Sequence, residues 1–535
     1  MASSDIGVLI VGAGPVGLAT AIELGQRGIK VLIVERNDRV GYSPRAKTTN
    51  VRTRTLLRRW GIADRLAEKS PLGIDYPNDI AYVTRLGGYL LARIEDANNT
   101  APVRNSAFPE HAQWIPQYTL EKVLHEEVAR LPTVELRFGV AFVRAQQTEA
   151  GCISLLRDLT GSEQSVAHHY LVGADGARST VRDVIGAQMI GERTLSRNYA
   201  IVFRAPGLAQ SHRHGKAVMY WQSNRDGASV IGPMDRGDIW VFTPTAIRPG
   251  ETLSKTEAAG AIAKATGIDL PYEILSVDEW VASRLIADRY RDRRVFLAGD
   301  ACHLHPPWGG YGMNMGVGDA MDLGWKIGAV LQGWGGSALL DSYEIERRQA
   351  HEAVVSAAAS NHSVLPNQLW RDGMEEDSPR GSALRKQMGE YFLKAKAPEF
   401  RGLGTILGIG YEGSPINASE AAPPPPREHS IYRPTARPGY LAPHAWLDDG
   451  RSLYDLFSKD FSLVVDTHAD LAEAAKALDE AKSLGVPFKI VRAEGVRIDA
   501  LYWAKLALVR PDQFVAWRGD AWDAGALKHA VGRSR

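Results

Sequence analysis

Residues 8–35 most narrowly constrain what this chain can fold into. Val8–Val11 is a short, continuous apolar run of the kind that forms a strand buried on both faces. Gly12, Gly14 and Gly17 follow at once, residues 18–25 read on as a helix, and Val31–Val34 forms a second strand ending at Glu35. Strand, glycine turn, helix, strand and acid in that order are a dinucleotide fingerprint in its required context. Gly12 permits the turn, Gly14 lets backbone approach a pyrophosphate, and Gly17 lets helix and strand pack closely. Glu35, with Arg36 next to it, is placed to meet an adenosine ribose, and its charge would repel a 2′-phosphate. The site therefore suits FAD or NAD and disfavours NADP. The same glycine spacing recurs at Gly408, Gly410 and Gly413. There no adequate strand precedes it and Ser414–Pro415 follows in place of a helix, so that stretch reads as an ordered loop.

A second site is written in residues 294–314. A buried strand runs to Gly299, Asp300 stands at its end, Pro306–Pro307 and Gly309–Gly310 make a turn, and a helix begins near Met313. An acid at a strand end can accept hydrogen bonds from a chain of hydroxyls. The proline-glycine turn brings backbone close to a flat ligand. The free N–H groups of a helix start favour developing negative charge. This combination suits an isoalloxazine ring, whose N1–C2=O edge becomes anionic on reduction.

At 535 residues the chain is too long for one compact core. Lys plus Arg (63) nearly cancel Asp plus Glu (62), so no basic excess exists to hold nucleic acid or anionic lipid. No apolar run approaches a membrane span. The first strand starts within about seven residues of the N-terminus, leaving no room for a signal peptide, and the cytoplasm is the expected compartment. Cys152 and Cys302 are the only cysteines, too few for a disulfide framework or a cysteine metal site. Cys302 reads as a small buried hydrophobe.

The expected fold class is α/β, with boundaries as follows. Residues 1–189 form the first part of a Rossmann-like nucleotide domain, with helices at 51–60 and 115–135 and strands at 134–144 and 152–156. A further strand, from Tyr170, ends at the Asp175–Gly176 turn. Residues 190–285 form an inserted antiparallel-sheet domain covering a ligand. In its 217–221 strand, Ala217, Met219 and Trp221 share one face and Val218 and Tyr220 the other. Residues 286–415 return to the nucleotide domain with helices near 317–332 and 338–361. A Pro-rich linker spans 416–430, and 431–535 form a small α/β unit.

The opening fingerprint, the Gly173–Ser179 turn and the Gly299–Asn314 turn together resemble the class A flavoprotein monooxygenases, the p-hydroxybenzoate hydroxylase-like aromatic hydroxylases. The resemblance spans residues 1–360. Tyr411–Pro415, Arg437–Gly439, Pro443–His444 and Leu508–Asp512 extend it to the phenol, chlorophenol and hydroxyphenylpropionate hydroxylase branch. It implies a glutathione-reductase-like FAD domain and a thioredoxin-like C-terminal domain. That domain lacks a Cys-x-x-Cys pair here, so redox exchange is not available to it.

The resemblance also implies roles. Asp300 would hold the ribityl chain, and the Pro306 carbonyl would lie near the flavin N5–C4a edge. Gly312, Met313 and Asn314 would face the flavin C2=O. Asp175 would lie near the pyrophosphate or nicotinamide cofactor, and Arg45 and Gln117 would contact FAD. Arg52 matches an arginine after that loop, with an ion-paired surface role as its competitor. The implied activity is hydroxylation of a phenolic compound by NADH or NADPH and O2 through a C4a-hydroperoxyflavin, with a homodimer as the assembly relatives suggest.

The group that activates the phenol is open. Lys47 stands where some relatives carry a His or Asp, and it would stabilise a phenolate or pair with a carboxylate if it is not simply solvated. His303 and His305 flank the flavin turn as candidate bases, in competition with packing roles. No third ligand stands at metal spacing beside them, so no metal is expected. Met219, Trp221, Pro307, Trp308 and Tyr311 are expected to line the substrate site. Two readings compete on the same fold: a flavin reductase or oxidase, and a halogenase. The tryptophans of the halogenase signature are replaced here by His111 and Gln113, ahead of Ile115–Pro116. An NAD-linked dehydrogenase would leave the 299–314 turn without a purpose.

Overall fold

The computed structural model describes residues 6–38, 46–244, 253–362 and 370–533, with only backbone for 359–362. The apolar run Val8–Val11 becomes the centre of a parallel sheet. Strand Ile6–Val11 lies between Val31–Glu35 and the end of Glu163–Gly173. Val134–Phe138 and Val295–Leu297 extend the sheet in parallel on either side. Val140–Gln147 and Cys152–Asp158 attach to it as an antiparallel pair. The stretch expected as one strand over 134–144 is two, separated at Gly139, whose φ of +67° breaks the extended run.

Two helices cover the nucleotide end of this sheet. Pro15–Gly25 packs on Tyr311–Leu331 with backbones close together, because the second helix turns glycines toward the first. A Cβ at Gly316 would lie 2.5 Å from Val16, and one at Gly324 would lie 2.8 Å from Glu23.

The second sheet runs in the order His303–Leu304, Glu273–Ala287, Met189–Arg204, Ile239–Pro244, Gly227–Pro233, Met219–Asn224, Ile80–Val83, Leu90–Ile94. It draws its last two strands from residues 80–94, a segment that the sequence places with the nucleotide domain. Met219–Asn224 pairs with Ile80–Val83 in parallel, an exception in a sheet that is otherwise antiparallel. The helix Lys255–Thr266 covers one face, packing Ala258 and Ile262 against Ile201, Phe203 and Phe242. The helix Pro379–Phe400 covers the other. Since the strand begins at Met219, Ala217 does not share the Met219–Trp221 face; it packs on the opposite side with Tyr220.

The C-terminal unit is a four-stranded sheet in the order Phe488–Arg492, Phe461–Val465, Leu506–Val509, Val515–Gly519, with helix Leu471–Leu484 beside it. It has the thioredoxin-like form expected. No helix among the described residues is long and apolar enough to cross a membrane.

Candidate functional site

Three glycines of the opening turn are small for different reasons. A Cβ at Gly12 would meet the Ala174 carbonyl at 2.3 Å, and one at Gly17 would meet the Gly12 carbonyl at 2.0 Å. Those two positions are filled by the protein itself. A Cβ at Gly14 would meet nothing within 4 Å. Gly14 is also the N-cap of the first helix and offers no side chain to its N–H groups. An open side next to uncapped N–H groups is a cradle for a pyrophosphate. Glu35 accepts the Ala13 N–H at 3.0 Å through Oε2 and the Asn37 N–H at 3.0 Å through Oε1. Its carboxylate is thereby fixed at the rim of the glycine turn, with Arg36 exposed after it.

The second turn meets the first at Val16. A Cβ at Gly299 would lie 2.8 Å from the Val16 side chain, so the start of the first helix nests between Gly299 and Gly316. Asp300 follows as the exposed residue of the short turn Gly299–Ala301, whose other two residues are buried. Helix Tyr311–Leu331 begins at Gly310, again without a side-chain cap, and a Cβ at Gly312 would meet nothing within 4 Å. Met313 is partly buried against the core. The Asn314 side chain holds the neighbouring segment: Nδ2 donates to the Thr48 and Gly310 carbonyls at 2.8 and 2.7 Å, and Oδ1 accepts the Asn50 N–H at 2.9 Å. Pro306 is buried and Pro307 exposed.

The short helices starting at Ala63, Leu403, Ile498 and Ala526 lack a side-chain cap, and the longer helices divide by position. Helices starting at Val51, Lys255, Pro379 and Leu471 are capped by Asn50, Ser254, Ser378 and Asp470. Those starting at Pro15, Gln117 and Tyr311, the three that the sequence places against FAD, have no side-chain cap. An uncapped N-terminus suits an anionic partner. The residues present therefore fit FAD.

Other expected contacts fall out differently. Asp175 Oδ2 accepts the Thr180 and Val181 N–H groups at 2.7 and 3.1 Å, which makes it a cap of the short helix Thr180–Val184. Its Oδ1 is buried with no partner among the described residues, and burial raises the carboxyl above its ordinary range, so this atom is left for a ligand or a proton. Gln117 donates to Glu121 at 2.7 Å at the start of its helix. Arg52 turns instead to the C-terminal unit, donating to the Gln513 side chain and the Asp512 carbonyl, two neutral acceptors. Arg45 lies outside the described residues.

His303 belongs to a buried network centred on Asp319, a residue the sequence reading did not single out. Asp319 accepts from His303 Nε2 (2.8 Å), the Gly299 N–H (3.0 Å) and Arg347 Nε (2.7 Å), and its Oδ1 lies 2.9 Å from His351 Nε2. Burial alone would push its carboxyl up; His351, Arg347 and His303 outweigh that and hold it well below the usual range. With His303 wholly buried, this group fixes the Asp300 turn from behind and does not reach a substrate. His305 differs, since neither ring nitrogen has a partner among the described residues. Burial, with His303 and His351 close by, keeps its imidazole neutral well below the ordinary histidine range.

Cys302, His303 and Asp319 lie close enough to share a metal, as do Asp322, Glu346 and Asp512. Arg347 already neutralises the first group, and Lys326 and Arg510 the second. Cys302 is buried, its thiol donates to the Gly299 carbonyl, and burial pushes its pKa far up, so it packs as a hydrophobe.

On the far side of the turn, Trp308 joins Trp221, Tyr82, Trp114 and Phe392 in one apolar cluster, with Met219 packed at its edge. Tyr311 departs from the expected lining. It packs away from this cluster, with Phe108, Leu407 and Tyr411, because the helix start turns it toward the 402–411 segment. A cavity of about 40 Å³ behind it, lined by Arg52, Arg347 and Phe514, has room for water and not for a ring. Lys47 sits at the head of the Thr48–Thr49 strand, whose partner strand carries Trp114. Burial pushes its ammonium down to about 8, and it forms no ion pair among the described residues.

Comparison with known proteins agrees with this geometry. Residues 5–358 match the FAD binding domain model and residues 435–534 the aromatic-ring hydroxylase C-terminal model. The 4-methyl-5-nitrocatechol 5-monooxygenase of a Burkholderia species is 33% identical over 96% of this chain and 94% of its own. The tetracenomycin A2 monooxygenase-dioxygenase of Streptomyces glaucescens is 32% identical over 100% and 97%. Among solved structures, the rebeccamycin biosynthetic enzyme RebC with bound 7-carboxy-K252c superposes with a TM-score of 0.90 at 33% identity, covering 99% of both chains. The chain therefore belongs to the FAD-dependent aromatic-ring hydroxylases of the class A flavoprotein monooxygenases.

Proposed function

We propose that this hydroxylase acts on a phenolic compound, with NADH or NADPH as a transient reductant and O2 as the oxygen source. The observation that supports it most is the two-sided character of the 299–314 turn. One side, at Gly299, touches Val16 at the start of the first helix. The other, at Trp308, forms part of a buried aromatic cluster. A flavin spanning that turn would be held by the opening glycines at its adenosine end and would meet this aromatic cluster at its ring end.

The bound flavin supplies two-electron uptake from the nicotinamide and activation of O2 for transfer to an electron-rich ring. The chain's own groups do the rest. Asp300 presents an exposed carboxylate to hydroxyls of the ribityl chain. The Gly312 and Met313 N–H groups, at an uncapped helix start, favour negative charge at the ring edge. Lys47, held near pKa 8, can keep its proton while stabilising a phenolate oxygen, which raises electron density in the substrate ring. His305, neutral and with both nitrogens unpartnered, can accept or donate one hydrogen bond beside the turn. The aromatic cluster excludes water.

A screen of phenols against NADH and NADPH tests the reading. A substrate should accelerate nicotinamide oxidation and yield hydroxylated product in near-equal amount. Hydrogen peroxide as the sole product with every phenol would contradict it.

A further inference from the structure

The aromatic cluster beside the flavin turn contains polar atoms that its packing does not explain. Tyr82 and Trp221 are register partners on neighbouring parallel strands and point from the same sheet face, with ring centroids 6.4 Å apart and planes 25° apart. Phe392 of the covering helix stacks on Tyr82 at 4.7 Å. Lys396 Nζ lies 5.2 Å from the Trp221 ring centre and 3.0 Å from Glu399, both buried. The Glu399 carboxylate accepts the Gly309 N–H, which ties this helix to the flavin turn next to Trp308. Within that setting Tyr82 Oη, Trp221 Nε1 and Trp370 Nε1 are buried and without a hydrogen-bond partner among the described residues.

Orphaned buried donors are uncommon in folded proteins, and several in one cluster call for a ligand. The indole N–H groups can only donate. Tyr82 also keeps its proton, because burial, and then the nearby Glu399 charge, push its phenol far above the ordinary range. The cluster thus offers flat apolar walls and three donors, two of them indole N–H groups that cannot accept. Its complement is an aromatic ring system carrying oxygen acceptors at its edge. Met219, Met374 and Met388 around it supply side chains that adapt to a ligand's outline.

We propose that Tyr82 Oη and Trp221 Nε1 are specificity-determining donors that bind a carbonyl or phenolate oxygen of the aromatic substrate, selecting oxygen-substituted ring systems over plain phenols. The inference rests on the phenolic-hydroxylase reading above, because it assigns the chamber to the substrate.

The test uses the FAD-loaded enzyme and two compounds that differ by one carbonyl, 2-hydroxyfluoren-9-one and 2-hydroxyfluorene. Binding is followed through perturbation of the flavin spectrum. The wild type should bind the ketone about tenfold more tightly. Tyr82→Phe removes an unsatisfied donor and little else, whereas Trp221→Phe also takes away ring volume beside Tyr82 and Lys396. At least one of the two variants should erase the preference with 2-hydroxyfluorene affinity and flavin content kept, and Tyr82→Phe should have a ligand-free melting temperature at or above wild type. A merely structural role would lower that temperature and leave the preference alone. Equal affinity for the two compounds, no binding of either, or a preference kept by both variants would overturn the proposal. None of these outcomes touches the phenolic-hydroxylase reading, which is judged by product formation in the phenol screen.

Discussion

Asp319 shows how much of this site is held by a residue that never reaches the ligand. It is fully buried, and it joins the Gly299 backbone to Arg347, His303 and His351. Replacing it with Asn keeps the volume and leaves the Arg347 guanidinium buried without its counter-charge, a change that costs about 3–5 kcal/mol. Asp319→Asn should therefore lower the urea midpoint and also reduce the flavin retained per chain, because the Asp300 turn loses its anchor. Unchanged stability and full flavin content would contradict this role. The sequence displayed His303 and His305 plainly, next to the turn, and Asp319 less so. A lone acid within a helix reads as a solvated face until the chain is folded. That His303 backs the turn while His305 keeps two open nitrogens depends on partners from residues 319–351, which local spacing cannot supply.

At the scale of elements, the parts dictated by local chemistry were legible and those dictated by distant contacts were not. Ile6–Val11, Val31–Glu35 and the glycine turn follow from an apolar run, three small residues and an acid. The helix Leu471–Leu484 ends at Gly485 in the left-handed conformation, as its sequence indicates. The helix Pro379–Phe400 escaped notice. It intersperses Lys386, Glu390, Lys394, Lys396 and Glu399 with few large apolar residues, and two of those charges are buried as a pair that no periodicity reveals. Strand Glu273–Ala287 was missed because its burial does not alternate cleanly. The strands Ile80–Val83 and Leu90–Ile94 join a sheet whose other members begin a hundred residues later. With them went Tyr82, so the chamber was only half visible, through Trp221, Met219 and Trp308.

For the whole molecule, the C-terminal unit is fastened to the nucleotide domain by buried charge. Arg510 reaches Glu346 at 2.6 Å, Asp322 at 3.2 Å and its own neighbour Asp512, and Arg27 binds Asp460. Buried histidines add an acid limit. Burial depresses His168, which lies 2.8 Å from Ser154 Oγ, and His444, which lies 2.9 Å from Ser452 Oγ, to about 4. Unfolded histidine titrates near 6.5, so between about 6.5 and 4 the unfolded chain binds the extra protons. Stability is therefore full above that window and falls as pH drops through it, each residue contributing up to about 1.4 kcal/mol per pH unit. Urea unfolding across this range should show the decline, and His444→Gln should flatten it by about one proton. A variant with the wild-type slope would refute the assignment.

The claim on which the molecule's chemistry rests is that FAD lies with its pyrophosphate on the open side of Gly14. Titration of apo-protein with FAD, in wild type and Gly14→Ala, tests this most directly. A Cβ there meets nothing in the protein, so the variant's apo form should melt as wild type does. Its FAD affinity should fall by at least about tenfold, since the added methyl occupies the pyrophosphate's place. Undiminished FAD affinity in Gly14→Ala would contradict the account.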